Sequence, residues 1–541
     1  MIRARIQSIV WLLLLLAAAW ALRAPYLGRE QWNLDEASTF TMAQQIRAGA
    51  VLYRDAVDQR APLVPYLKAT VFAVAGDWNV RAVHLSLALL LGLVAFLLGD
   101  LARRRGERAT GIAAALVFTV LSVVMVGSQD ALAAHTEWFV ILFSTLGFWL
   151  FALLVRRGDF LSGAAVGVVF AASALCKQPG LLDFGVTWVI LALLAWRQAG
   201  ERARLARFWL GGCAGVIVVA GATAAFFWQY GALRDFIYYA WTYNLQMYIP
   251  EVSRWTRLAG VRMPFVLAAQ HAPILALVAV AGAIGLLTTV VRDLRARASE
   301  IPVLAWLILG WSASGLASTM LSGRDYEHYS IQVIPGVSLA SGWLLARLWE
   351  RLRRPRNVAR WQLGALGALL VLVAAASAFD VLRFSRKISR QDDPGWKELG
   401  DLVRRYSKPD EPIFVWGYYP DGYLLSRRLP STRFIYPNFL TGLIPWTNVD
   451  LMRDTRYAVV PGAWTSFWKD YRAKPPVVIM DAVMRGYLKY PLLAQSGLRD
   501  EVIDHFAEVH RSVTEPFHVR ILRRLTPVAP GTKSADAAPA P

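Results

Sequence analysis

The sequence predicts a polytopic α-helical membrane protein of about eleven spans with a C-terminal α/β domain outside the bilayer. Three observations lead there. The 541-residue chain is 56% hydrophobic, too apolar for a soluble protein, and its apolar runs are of spanning length. Its arginines, source of much of the +20 net charge, cluster in short segments that follow alternate runs. The portion beyond residue 383 has no spanning run and is richer in charge and proline.

The expected spans are 6–23, 81–101, 110–127, 138–155, 160–175, 181–196, 208–229, 267–291, 302–321, 331–349 and 361–382. The start, MIRARIQSIVWLLLLLAAAWALRAP, mimics a signal peptide, but the many later spans mark it as an uncleaved first helix. Basic clusters stand at Arg3/Arg5, 103–108, Arg156/Arg157, 197–207, 292–297 and 347–360, all on one side when spans are counted. By the positive-inside rule that side is cytoplasmic. With no compact basic domain and no nucleic-acid motif, a nucleic-acid partner is set aside. Cys176 and Cys213 lie in or beside apolar runs and form neither a disulfide framework nor a metal pattern.

The outward side receives 24–80, 129–138, 176–180, 230–266, 322–330 and everything after the last span. The first of these is unusual for a connector: 31–66 reads QWNLDEASTFTMAQQIRAGAVLYRDAVDQRAPLVPY. Asn33 with Glu36 resembles a capping box, opening a helix over 34–48 that ends at Gly49. Phe40, Ala43 and Ile46 at helical spacing suit a helix lying on the membrane surface. Asp35 and Glu36 then occupy the first turn, where the helix dipole alone explains acidic residues. Against that plainer reading, the same topology brings Arg60, Asp130, His135, Glu137, Lys177, Arg324, Glu327 and His328 to the same side. Charges beside spans are costly unless paired or wetted, so their collection on one face implies a site there.

The outward domain reads as alternating strands and helices: a helix from Asp393-Pro394, a strand at 412–417, a helix over DGYLLSRR, extended segments at 433–436 and 457–461, a helix over AWTSFWKDYRA, a strand at 477–481 and a closing hairpin. The expected division is 1–382 membrane domain with outward loop 24–80, 383–526 outward domain, and 527–541 a low-complexity tail.

Four segments carry a family resemblance: GAVLYRDAVDQRAPLVPYLKA after the acidic pair, WNVRAVHLSLALLLG with Arg81 opening the second span, CKQPG closing the fifth, and RDYEHYSIQVIP between the ninth and tenth. Over roughly residues 20–340 the chain resembles membrane glycosyltransferases of the GT-C class, of the protein O-mannosyltransferase and lipid A aminoarabinose transferase type. The resemblance implies a polyprenyl-phosphate sugar donor and a lipid, glycan or protein hydroxyl as acceptor, met on the outer face of a bacterial inner membrane. It implies Asp35 as general base and Arg60 as a contact to the lipid phosphate. The chain departs from the aminoarabinose transferases at Arg60. They have Glu-Lys-Pro-Pro where this sequence has Gln59-Arg60-Ala61-Pro62; either Asp58 replaces the lost acid or the donor differs.

The chemistry fits independently. A carboxylate within reach deprotonates an attacking hydroxyl, and cations stabilise the charge on a departing phosphate. Asp35 and Glu36 are the catalytic candidates; Arg60, Lys177, Arg324 and His328 the phosphate-binding ones. Asp58, Tyr66, Arg81, His135, Glu137 and Tyr326 are further candidates for substrate contact, with Asp130 beside them. Trp416, Tyr418, Tyr419 and Trp446 are candidates for the acceptor. For Arg60 and Lys177 the plainer reading is snorkelling toward headgroups. One base and no carboxylate nucleophile implies inversion. No metal-ligand spacing is evident, so metal independence is expected. The rival readings are a lipid-linked sugar flippase, which would place polar groups near mid-membrane, a polysaccharide polymerase or ligase, and a non-catalytic assembly factor.

Overall fold

The structure, a computed structural model, describes residues 2–296, 302–353, 359–389, 396–444, 447–484, 489–512 and 517–526. Among these, nine helices are long and apolar enough to cross a membrane: Arg5–Tyr26, Val80–Arg104, Thr136–Leu154, Gln178–Arg197, Ala199–Gln229, Pro273–Ala296, Val303–Leu321, Glu327–Arg353 and Arg360–Ile388. The two remaining expected spans are the 17-residue helices Arg108–Val124 and Phe160–Cys176, each about 25 Å long at 1.5 Å per residue. The chain is a polytopic membrane protein. The last helix runs on to Ser389, past the expected boundary at 383.

Close packing is set by small residues. At Gly163, Gly167 and Gly211 an added methyl would overlap a carbonyl of the facing helix, so Phe160–Cys176 and Arg202–Gln229 meet backbone to backbone.

The C-terminal domain holds a four-stranded sheet in the order β1-β2-β4-β3, with β1 Ile413–Trp416, β2 Val478–Met484, β3 Phe506–Ser512 and β4 Phe517–Arg524. β1 and β2 are parallel; the other pairings are antiparallel. Helix Ala463–Ala473 lies between β1 and β2 in sequence, as a parallel crossover requires. Segment 457–461 is not a strand: Arg456–Ala458 is a 3-10 turn. Of 433–436, only Phe434 pairs, and its partner is Val57 of the first loop. The helix is described from Trp396, so its expected start at Asp393-Pro394 lies outside the described residues, as do Trp446 and the tail 527–541.

That Val57 contact is part of a larger union. The core of the C-terminal domain includes Val51, Leu52, Tyr53, Ala56 and Val57 of the first loop, Phe227 from the end of helix Arg202–Gln229, and Phe236 and Tyr243 from the 230–266 region. The first loop is thus built into the outward domain, and its helix Leu34–Arg47 does not lie on a membrane surface: Glu36 through Gln45 are buried.

Candidate functional site

A cavity of about 1660 Å³ opens where the first loop, the span ends and the C-terminal domain converge. Its lining combines charged residues, Asp35, Arg60, Asp130, Glu137, Lys177 and His328, with apolar ones from the spans, among them Phe184, Gly185, Trp188, Val216 and Ile217.

Asp35 is placed by its helix. The Asn33 side chain accepts the Asp35 N–H at 2.9 Å, and its amide donates to Asp130 Oδ1 at 2.8 Å. The expected capping box is absent. Glu36 turns the other way: its Oε1 accepts from His84 Nε2 at 2.7 Å and from the Ala134 N–H at 2.6 Å. Glu36 is 1% exposed and does not line the cavity. Its position therefore contradicts a catalytic role in contact with substrate; it ties the loop helix to the second span and to segment 129–137. Burial raises the Glu36 pKa, but His84 and Lys68 outweigh it and hold the carboxyl below its ordinary value. Lys68, 1% exposed, donates to Thr39 Oγ1 at 2.6 Å, and burial pushes its pKa down to about 7.

Arg60 sits between two carboxylates, pairing with Asp35 and, at 2.5 Å, with Asp58. Asp58 also accepts the Arg60 backbone N–H at 3.1 Å. It supports the guanidinium from behind and does not line the cavity. Burial raises the Asp35 pKa; Arg60, His328 and His135 more than reverse this and hold it below the usual carboxylate range. Burial lowers the Arg60 pKa, but Asp35 and Asp58 drive it well above the ordinary value.

Lys177 caps the fifth span, pairs with Glu137 and lies 3.6 Å over the Tyr329 ring. His135 and His328 stack face to face at 4.5 Å. His135 Nε2 is 2.8 Å from Asp130, and His328 lies 3.7 Å from both Asp130 and Asp35. The Asp130 carboxyl, raised by burial, is pulled well below its usual range by the two imidazoles. Tyr326 lines the same wall and stacks on His328 at 5.5 Å.

Asp35, His135 and His328 each offer a ligand atom within 4.8 Å of the others, spacing that a divalent ion can bridge. The sequence brings these three residues to one side of the membrane but shows no metal-ligand spacing, because they come from three distant segments. The residues fit an ion only after rearrangement. Arg60 already holds Asp35, His135 is engaged with Asp130, and near-parallel stacked rings (interplanar angle 11°) do not aim their nitrogens at one point.

Several expected site residues lie elsewhere. Arg324 is a strut: Nε donates to Thr447 at 2.9 Å, Nη2 donates to the Tyr248 carbonyl at 2.8 Å, and the guanidinium stacks on the Tyr248 ring. It does not line the cavity, although Asp325 and Tyr326 beside it do. Arg81 is exposed, and Tyr66 packs edge-on against Phe226; neither lines the cavity. Trp416 and Tyr419 are in the core of the C-terminal domain, whereas Tyr418 reaches the cavity. Sequence reasoning passed over Asn33, Gln178, Asn244, Tyr436 and Asn438, all of which line it. Tyr436 and Asn438 come from the outward domain, and no spacing in the sequence links them to Asp35.

No family model matches the chain, and no curated protein matches it by sequence. Solved structures do match in fold. ArnT from Cupriavidus metallidurans superposes in its apo state with a TM-score of 0.59 at 14% identity, over 95% of this chain and 98% of that one. The same protein bound to undecaprenyl phosphate gives 0.58 at 15% identity, over 94% and 98%. The Archaeoglobus fulgidus oligosaccharyltransferase AglB, in complex with an inhibitory peptide and a dolichol-phosphate, gives 0.56 at 12% identity, over 95% and 74%. The chain shares the fold of these GT-C membrane proteins.

Proposed function

We propose that the protein is an inverting glycosyltransferase that moves a sugar from a polyprenyl-phosphate donor to a hydroxyl of a lipid, glycan or protein acceptor. The observation that carries this reading is the mixed cavity: Arg60 and Lys177 beside carboxylates, in one lining with the apolar side chains of the spans. A polyprenyl phosphate combines the same two characters, and solved relatives in fold hold such lipids. The apolar side chains take the isoprenoid chain, and Arg60 and Lys177 take the phosphate. The arriving phosphate replaces Asp35 as a partner of Arg60, while Asp58 keeps the guanidinium in place. Asp35 then accepts the proton of the attacking hydroxyl. The new bond forms at the anomeric carbon as the carbon–oxygen bond to phosphate breaks, and the electron pair leaves with the lipid phosphate. The six basic clusters orient the chain in a bacterial inner membrane, amino terminus cytoplasmic and C-terminal domain periplasmic.

The test is purified protein in detergent with a polyprenyl-phosphate sugar labelled in the sugar. Transfer or slow hydrolysis that releases polyprenyl phosphate is the expected result. Reconstituted protein that moves the intact lipid across a bilayer without cleaving it overturns the proposal in favour of a flippase. Divalent-ion chelation of the same preparation tests the Asp35–His135–His328 cluster; turnover unchanged by chelation is expected from the pairings described above.

A further inference from the structure

A second large cavity, of about 1470 Å³, shares no lining residue with the first. It lies at the opposite end of the loop helix. Asp35, in the first turn, faces the first cavity; Gln45 and Ala48–Ala50, at the last turn, wall the second. The ten-residue separation places them about 15 Å apart along the axis. Gly49, at φ +92°, lets the chain reverse there. The other wall is the C-terminal domain, through 404–412, 428–433, 470–477 and 523–526.

This groove is basic beyond its internal pairing. Arg433 is matched by Asp470, Arg404 by Asp401, and Arg524 by Glu501. Among the described residues, Arg405, Lys408, Arg428, Lys474 and Arg523 have no carboxylate in ion-pair contact. The remaining acids in the lining are fewer: Asp410, Glu411 and Asp55, the last of them already paired with Arg54. Arg428 is only 5% exposed, and its donors go to neutral oxygens: the Ser407 hydroxyl and carbonyl and the carbonyls of Ser426 and Arg427. Burial holds the Arg428 pKa below its ordinary value, and the charges of Glu411 and Asp410 offset this only in part, so a further anion is favoured there.

We propose that this groove docks an anionic saccharide chain, one bearing carboxylates or phosphates along its length. Several cations distributed over one cleft match a string of charges better than a single ion. Tyr406, half-buried in the lining beneath Arg523, adds an aromatic face and a hydroxyl that suit a sugar ring. A bilayer surface is the poorer occupant. Basic membrane-binding patches are flanked by inserting apolar side chains, and here Leu525 is the one large apolar residue of the lining that is exposed.

The test uses full-length protein in detergent, with oligogalacturonate as probe and neutral dextran of equal length as control. Binding to oligogalacturonate alone, weakening as salt is added, is expected. Lys408, Lys474 and Arg523 are exposed, so the combined Lys408→Glu/Lys474→Glu/Arg523→Glu protein keeps its fold. Its affinity for the probe should fall by about tenfold or more, while polyprenyl-phosphate binding in the first cavity is unchanged. Lys474→Gln alone should give a smaller loss in the same direction. Equal binding of dextran, or wild-type affinity in the triple variant, overturns the proposal. So does capture of phosphatidylglycerol vesicles that depends on these three residues when oligogalacturonate does not bind.

Discussion

Replacing Asp35 by Asn removes one negative charge from the lining of the first cavity and little else. The cap survives, because the Asn33 side chain accepts the backbone N–H of residue 35, not its carboxyl. Arg60 loses one partner but keeps Asp58 at 2.5 Å, so no cation is orphaned. The Asp35 side chain is 35% exposed, and the lost pair is correspondingly screened. Pairs of that kind are worth about 0–1 kcal/mol, and the helix dipole adds about 0.3–1 kcal/mol. Neither approaches what unfolding a large membrane protein requires. A general base contributes about 10²–10⁴-fold, or roughly 3–5 kcal/mol of barrier. Asp35→Asn should therefore insert, fold and bind the lipid phosphate, while sugar transfer falls at least about a hundredfold. Two measurements on one detergent preparation decide it: binding of a polyprenyl phosphate, and turnover of the labelled polyprenyl-phosphate sugar. Near wild-type turnover refutes Asp35 as the base. Joint loss of turnover and binding refutes the claim that the substitution leaves the site intact.

Four further outcomes are expected. Arg60→Gln should move the acid limb of the pH–rate profile upward: burial raises the Asp35 pKa, Arg60 is the first of the cations that reverse it, and without Arg60 the base protonates at higher pH; an unmoved limb argues against Asp35 as the titrating group. Glu36→Ala strands His84 and the Ala134 N–H in a buried setting and should cost about 3–5 kcal/mol of stability, read as a lowered Tm with turnover per folded molecule less affected than in Asp35→Asn. Asp421 is fully buried and its pKa is pushed up to about 7 by burial. Its folded pKa is raised, so its favourable contribution holds below the unfolded value near 4 and is lost as pH rises through about 7; Asp421→Asn should raise Tm at pH 8 more than at pH 5, a difference checked by thermal melts at the two values. Gly185 lines the first cavity, and an added Cβ there meets nothing within 4 Å. Gly185→Phe should fold, yet weaken binding of a full-length polyprenyl phosphate more than that of a short-chain analogue; equal loss for both would place the tail elsewhere.

Which segments are apolar and long enough to cross a bilayer was legible along the chain. Burying an apolar run and anchoring it with arginines are local properties, written in the spacing of residues along the chain. The helix at Leu34–Arg47, with its Asn33 cap and its turn at Gly49, was legible for the same reason. So was the convergence of Asp35, Arg60, Lys177, His135, Glu137 and His328, because the parity of the spans puts their loops on one side. Side-chain direction was not. Asp35 and Glu36 are adjacent and alike in composition, yet successive helical positions point about 100° apart. One faces the cavity and the other pairs with His84. Arg324 shows the same limit: its loop reaches the site, but its guanidinium binds Thr447 and Tyr248. Strand expectations failed at 457–461, where an apolar run only four or five residues long fits a buried turn as well as a strand. Tyr418, Tyr436 and Asn438 reach the cavity because the first loop is folded into the core of the C-terminal domain, through Val57 beside Phe434 and the Val57 N–H donating to the Arg433 carbonyl. Such contacts join residues hundreds of positions apart. Packing complementarity chooses them, and that is a property of surfaces that exist only once the chain has folded.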